Sequence, residues 1–447
     1  MHRFVTRRLL ALGVIVGVGR SVVAQGTPDF ERAPVRYSAT APEDAVTRLQ
    51  RAVAAGSTTL SGLDQEYLRA VLRELHVPVE SQMVVFSKTS LQRGLIRPRQ
   101  PRALYFSDSI YVGWVPGGLM EVIAVDPQLG PVFYAVDPRA RPGARREFTR
   151  DEDCLRCHGG AFVRDIPGVF ARSLSTSESG EPLLRHGSEL VDDETPFERR
   201  WGGWYVTGYK GPLNHRGNVF GEEQGEQLVL TPSSARPDAL SEFFDTARYL
   251  APTSDVVALL VFEHQMAVQN ALTHAGQSCR RMLEYQRSLQ QTLGDPPTDE
   301  PSYDSVKSVF ASAVEQVVDH LLFRGAAPLP EGVIGAESFR SRFLQGAPRS
   351  KGGHALKDLQ LGRRLFANRC SYLIYSESFA ALPGQLKARI FDQLRGALRD
   401  DNPRGRYAYL EADEKRRIEE ILLETLPEAR ERWESKRPPA TRPGGEY

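Results

Sequence analysis

The 447-residue sequence predicts an α+β fold, and three observations carry that prediction. Five short runs rich in β-branched and aromatic residues lie between 83 and 136, joined by polar connections too short to hold a helix. Such strands pair antiparallel, as a meander. A single apolar stripe at helical spacing then runs from about 254 to 293. Beyond residue 303 the pattern is helical almost throughout.

The elements follow in chain order. Over 44–55 and 63–75, the spacing of Val46, Leu49 and Val53 and of Leu63, Leu68, Val71 and Leu72 predicts two amphipathic helices. The expected strands cover 83–86, 103–106, 110–115, 119–125 and 132–136. They are separated by Ser107-Asp108-Ser109, by Pro116-Gly117-Gly118, and by a turn from Asp126-Pro127 to Gly130-Pro131. These segments make a first unit, 25–137.

A second unit, 138–292, reads as loop up to about 240, broken by Asp165-Ile166-Pro167-Gly168 and Ser177-Glu178-Ser179-Gly180. It closes on the long helix, with Ser254 or Asp255 as N-cap and Val257, Leu260, Val261, Ala267, Val268 and Ala271 on one stripe. A linker rich in proline and acid, 295–301, precedes a helical third unit, 303–436. Its helices are expected at 306–323, 356–366, 385–398 and 411–426.

The first 24 residues read as a cleaved export signal. Arg3, Arg7 and Arg8 precede an apolar run over 9–19, and Val22-Val23-Ala24 offers small-residue cleavage before Gln25. That run is too short to span a bilayer, and no later segment is long and apolar enough to do so. Loss of the four arginines in this segment takes the formal charge from +1 to −3. A charge of that sign gives no reason to expect nucleic acid or an anionic membrane as partner.

Cys154-Leu155-Arg156-Cys157-His158 carries the chemistry. C-x-x-C-H is the attachment pattern of a c-type haem. Two thiols with two residues between them reach the two vinyl groups of one porphyrin, and the adjacent histidine falls under the iron as axial ligand. A zinc site would need two further ligands at short spacing, and none is near. Cys279 and Cys370 remain, either as a disulfide or as two buried thiols; pairing would need their α-carbons within about 7 Å.

The chain resembles a family of exported bacterial proteins that share a single cytochrome c type motif. The residues that carry the resemblance are Phe86 to Gln92, Pro101 to Phe106, Asp126 to Gly130, Cys154 to Gly159, Trp201 to Gly208, His215 to Asn218, Glu263 to Gln265 and Cys370 to Ser376. The resemblance implies haem binding and electron transfer, and no finer reaction. Such members often carry further histidines just after the Glu-His-Gln segment; here Gln269 stands in that neighbourhood.

The sixth iron position separates the functions. His264 is the first candidate ligand, because it lies on the inward stripe of the long helix; the competing reading is a buried histidine with polar partners. His215, on a glycine-flanked loop, is the second candidate. Trp201, Trp204 and Tyr205 suit either a haem pocket or a glycine-rich corner packed by aromatic rings. Arg199 and Arg200 suit either haem propionates or solvent. A histidine in the sixth position makes a closed carrier passing electrons to an unidentified redox protein in the periplasm. An open position makes a haem-dependent oxidoreductase, peroxidase-like or oxygen-using.

Overall fold

Capping starts the first helix of the computed structural model, which describes residues 27–139, 146–233 and 239–435. The Asp44 side chain accepts the Thr47 amide at 2.8 Å, and α1 (Ala45–Ala54) follows from it. Helix α2 (Gln65–Glu74) buries Leu68, Val71 and Leu72. The expected export signal over 1–24 lies outside the described residues.

The meander forms as five antiparallel strands: β1 (Met83–Val85), β2 (Arg102–Phe106), β3 (Ile110–Trp114), β4 (Met120–Asp126) and β5 (Gly130–Val136). Val112 sits opposite Tyr105 on one side and Val122 on the other, so the period-two pattern fixes the register. Val84, Tyr105, Val122 and Tyr134 pack on the side of α1 and α2, whereas Met83, Phe106, Tyr111 and Val125 face the other core.

Both edges of this sheet are recruited from beyond residue 137. Strand β6 (Thr149–Arg150) pairs with β5, just ahead of the haem motif, whose last four residues form α3 (Leu155–His158). Strands β7 (Ala171–Leu174) and β8 (Ser188–Val191) make their own ladder. Strand β9 (Trp204–Tyr205) then pairs with β1, giving the order β6-β5-β4-β3-β2-β1-β9. A hairpin, β10 (Val219–Gln224) and β11 (Gln227–Pro232), turns at Gly225, where φ is +65°.

The long helix is α4 (Val256–Leu293). Asp255 caps it, accepting the Val257 and Ala258 amides at 3.0 and 2.9 Å, and Gly294 ends it at φ +75°. The linker lies along α4: Gln286 donates to the Thr298 and Glu300 carbonyls, both at 2.9 Å. Helices α5 (Asp304–Leu321), α6 (Glu337–Leu344), α7 (Glu377–Ala380), α8 (Gly384–Arg399), α9 (Ala412–Thr425) and α10 (Pro427–Ser435) complete the chain.

The helix expected over 356–366 is a loop instead. Leu361 takes φ +60° beside Gly362, and an isolated bridge joins Leu359 to Phe366. Leu356 and Phe366 are buried, and Leu359, Leu361 and Leu365 half-buried, on irregular backbone. One apolar core links Met83 and Val85 of the sheet, the inward face of α4, and Ile418 and Trp433 near the C-terminus. Among the described residues no helix is long and apolar enough to cross a membrane.

Candidate functional site

The Cys154–His158 segment stands on the sheet beside α4. The Asp151 side chain accepts the Asp153 amide at 3.0 Å and starts a tight turn over Glu152–Cys154 that runs into α3. Cys154 and Cys157 fall one turn apart, half-buried and exposed respectively. Burial pushes the Cys154 thiol up to about 12, helped by the charges of Asp151 and Glu121.

His158 is held on three sides. Its ring lies 5.0 Å from that of Phe133 on β5 and 4.6 Å from that of Phe170. Its Nδ1 donates to the Gly168 carbonyl at 2.9 Å, while the Gly168 amide donates to the His158 carbonyl at 2.8 Å. Asn270 on α4 clamps the next residue: its Oδ1 accepts the Val169 amide at 2.9 Å and its Nδ2 donates to the Val169 carbonyl at 2.7 Å. Gly168 is small by necessity, since a Cβ there would lie 2.7 Å from Val163 and 3.0 Å from the Asn270 oxygen.

These contacts fit a covalent haem. A metal-binding histidine characteristically donates its second ring nitrogen to a backbone carbonyl, which fixes the tautomer and aims the ring. Here Nδ1 is committed to Gly168, and Nε2 has no hydrogen-bond partner among the described residues. Burial lowers the His158 pKa, the Gly168 bond opposing, and so favours the neutral imidazole that binds metals.

Arg102 on β2 reaches across Gly113 of β3 to pair with Glu121 of β4. A Cβ at Gly113 would collide with the Arg102 guanidinium, whose Nε is buried without a partner. Its charge acts on both Cys154 and His158. Among the described residues no three His, Cys, Asp or Glu side chains cluster to hold a metal ion, whereas a haem needs only its axial ligands from the chain.

His264 faces another way. It is fully buried, as its stripe requires, but both ring nitrogens are engaged: Nδ1 with Asp193 Oδ2 and Nε2 with Ser371 Oγ, each at 2.8 Å. Phe323 stacks on its ring at 3.9 Å, and Phe366 stands edge-on at 5.7 Å. None of these partners touches His158. The structure therefore does not bring together the two histidines expected to flank the iron. Burial would raise the Asp193 carboxyl, but the bond and charge of His264 hold it below its ordinary value. The Asp193–His264–Ser371 chain ties α4 to two loops distant in sequence.

His215 lies in a third place. Its ring is met edge-on by Phe197, Trp201 and Tyr209 at 5.8, 5.2 and 5.3 Å, and its Nδ1 accepts the Gly217 amide at 3.0 Å. Burial lowers its pKa to about 4. Trp201, Trp204 and Tyr205 form a glycine-rich corner. A Cβ on Gly202 would lie 2.5 Å from the Leu174 carbonyl, and Trp204 and Tyr205 lie on the edge strand.

Arg200 and Arg199 part company. Arg200 is buried, and its Nη1 donates to Glu263 Oε2 at 2.6 Å, while Trp201 Nε1 donates to the other Glu263 oxygen at 2.6 Å. Arg199 stays exposed and pairs with Glu189. Cys279 and Cys370 are buried free thiols, each pushed up to about 12 by burial.

Sequence reasoning missed Gly168, Asn270, Phe133 and Phe170 around His158, and Asp193 and Ser371 around His264. Only Gly168 left a trace in the sequence, in the Ile166-Pro167-Gly168 turn read as a breaker. No protein-family model, no curated protein and no solved structure matches this chain.

Proposed function

We propose that the protein is an exported c-type cytochrome acting in the periplasm, with one haem attached through Cys154 and Cys157 and His158 as its axial ligand. The observation that carries the reading is the His158 ring. Its Nδ1 is bound to the Gly168 carbonyl, its Nε2 is left without a partner, and burial keeps it neutral. The bound group would supply a one-electron iron couple.

The chain's own contribution is to orient and shield. Phe133 and Phe170 pack against the ring, and the Asn270 clamp fixes the backbone that holds it. The Arg102–Glu121 ion pair places two opposed charges beside the motif, and both act on Cys154 and His158. Electrons would pass to an unidentified redox protein.

A second reading is an oxidoreductase working at an open iron position. It is favoured by His264, whose two ring nitrogens are engaged by Asp193 and Ser371 and which shares no partner with His158. The test is the visible spectrum of the reduced protein from a haem-attaching host, before and after carbon monoxide. A c-type spectrum unmoved by the gas supports the closed carrier. A shift supports the open site, and absence of any haem spectrum sinks both.

A further inference from the structure

The chain holds a second site that owes nothing to the haem motif. A cavity of about 280 Å³ lies between the Trp201–Tyr205 corner and the β10–β11 hairpin. Its walls are apolar: Leu174, Leu213, Val219, Leu230 and Pro232. Among its polar lining residues, which include Ser175 and Asn214, two can bind an anion. His215 is 7% exposed and lines the cavity. Its Nδ1 is taken by the Gly217 amide, so the neutral ring carries its proton on Nε2, which has no partner among the described residues. Three aromatic rings set edge-on against the imidazole hold that donor in one direction.

The second group is Arg216, half-buried on the same wall, with its amide held by the Arg200 carbonyl at 3.0 Å. Its guanidinium has no hydrogen-bond or ion-pair partner among the described residues. Glu198 also lines the cavity, but it is exposed and outside ion-pairing distance of Arg216. An acid group is therefore drawn to Arg216 and His215.

We propose that this cavity binds a small organic acid, its carboxylate held by Arg216 and the Nε2–H of His215 and its apolar body against Leu174, Leu213, Val219 and Leu230. A carboxylate is the group that a planar guanidinium fork and a fixed neutral donor satisfy together. At about 30 Å³ for each water displaced, the cavity has room for roughly nine heavy atoms. Benzoate has that size.

The test titrates benzoate and its neutral analogue benzamide into the full chain. Heat is followed by calorimetry, and the His215 ring nitrogens by NMR of histidine-labelled protein. Saturable benzoate binding at roughly millimolar concentration that moves the His215 signals, with benzamide at least tenfold weaker, is expected. Arg216→Gln, on a half-exposed side chain, should weaken benzoate about tenfold and leave benzamide unchanged. The proposal is overturned if benzoate does not saturate, if the two compounds bind alike, or if Arg216→Gln has no effect. Should His215→Phe fold poorly, Arg216→Gln with an unchanged melting temperature decides alone.

Discussion

The Nδ1 of His158 donates to the carbonyl of Gly168, and Asn270 grips both backbone polar groups of the residue next to that glycine. A histidine on a four-residue helical turn is thereby oriented by a helix more than a hundred positions away. A single turn has too few internal hydrogen bonds to be stable by itself. Its geometry has to be imposed from outside.

Asn270→Ala removes two hydrogen bonds to buried backbone. At about 1 kcal/mol each, the loss is about 2 kcal/mol. Urea unfolding should show it as a lower midpoint with an unchanged slope. Because the clamp acts through Gly168, the variant should also broaden the His158 ring signals in NMR. Unbroadened signals would mean that the loop holds its shape without Asn270.

Cys154→Ser and Cys157→Ser should each leave one thioether, and the pair together none. In a haem-attaching host, intact-mass measurement should find one haem on the native chain and none on the double variant. His158→Ala should keep the covalent haem but change its reduced spectrum, since the thiols attach the group and the imidazole binds its iron.

His264→Phe separates the two buried histidines by role. It breaks the bonds to Asp193 and Ser371 and should cost about 2–3 kcal/mol in unfolding free energy. The reduced haem spectrum should stay as it was, because the partners of His264 are not those of His158. Loss of the native spectrum in a folded His264→Phe protein would restore His264 as an iron ligand.

The Arg200–Glu263 pair is buried on both sides, each side chain 2% exposed. Arg200→Met leaves a buried carboxylate with only Trp201 to satisfy it and should cost about 3–5 kcal/mol. Combining it with Glu263→Leu should recover most of that loss, because a burial cost and an attraction disappear together. The double-mutant cycle reads the coupling directly.

His215 gives stability a pH dependence of known sign. Its folded pKa is lowered to about 4, below the value near 6.5 of an unfolded chain. Between those values the unfolded state binds the extra proton, so stability is complete above about pH 6.5 and falls as the pH drops towards 4. Two and a half pKa units correspond to about 3 kcal/mol. Urea midpoints taken from pH 7.5 to pH 4.5 should fall more steeply for the native chain than for His215→Phe.

Much of this was legible in the residues. The meander strands, the two helices before them, α4 with its Asp255 cap, and three of the four expected C-terminal helices all follow from periodicity and turn chemistry. These are local signals, read within a dozen residues. The segment 356–366 misled because burial of Leu356 and Phe366 does not require a helix, and Leu361 and Gly362 turn the chain there instead. The edge strand Trp204–Tyr205 had too few residues to show a period.

By itself, the sequence determined the antiparallel α+β character and the inward face of α4, because neighbours along the chain specify each of them. Only the tertiary structure decided that His264 turns to Asp193 and Ser371, that His215 faces an apolar cavity, and that Gly168 and Asn270 aim His158. Those outcomes join residues from about ten to more than a hundred positions apart. A buried imidazole takes the polar partners that the packed backbone brings within 3 Å, and these are set by long-range packing and not by neighbours along the chain.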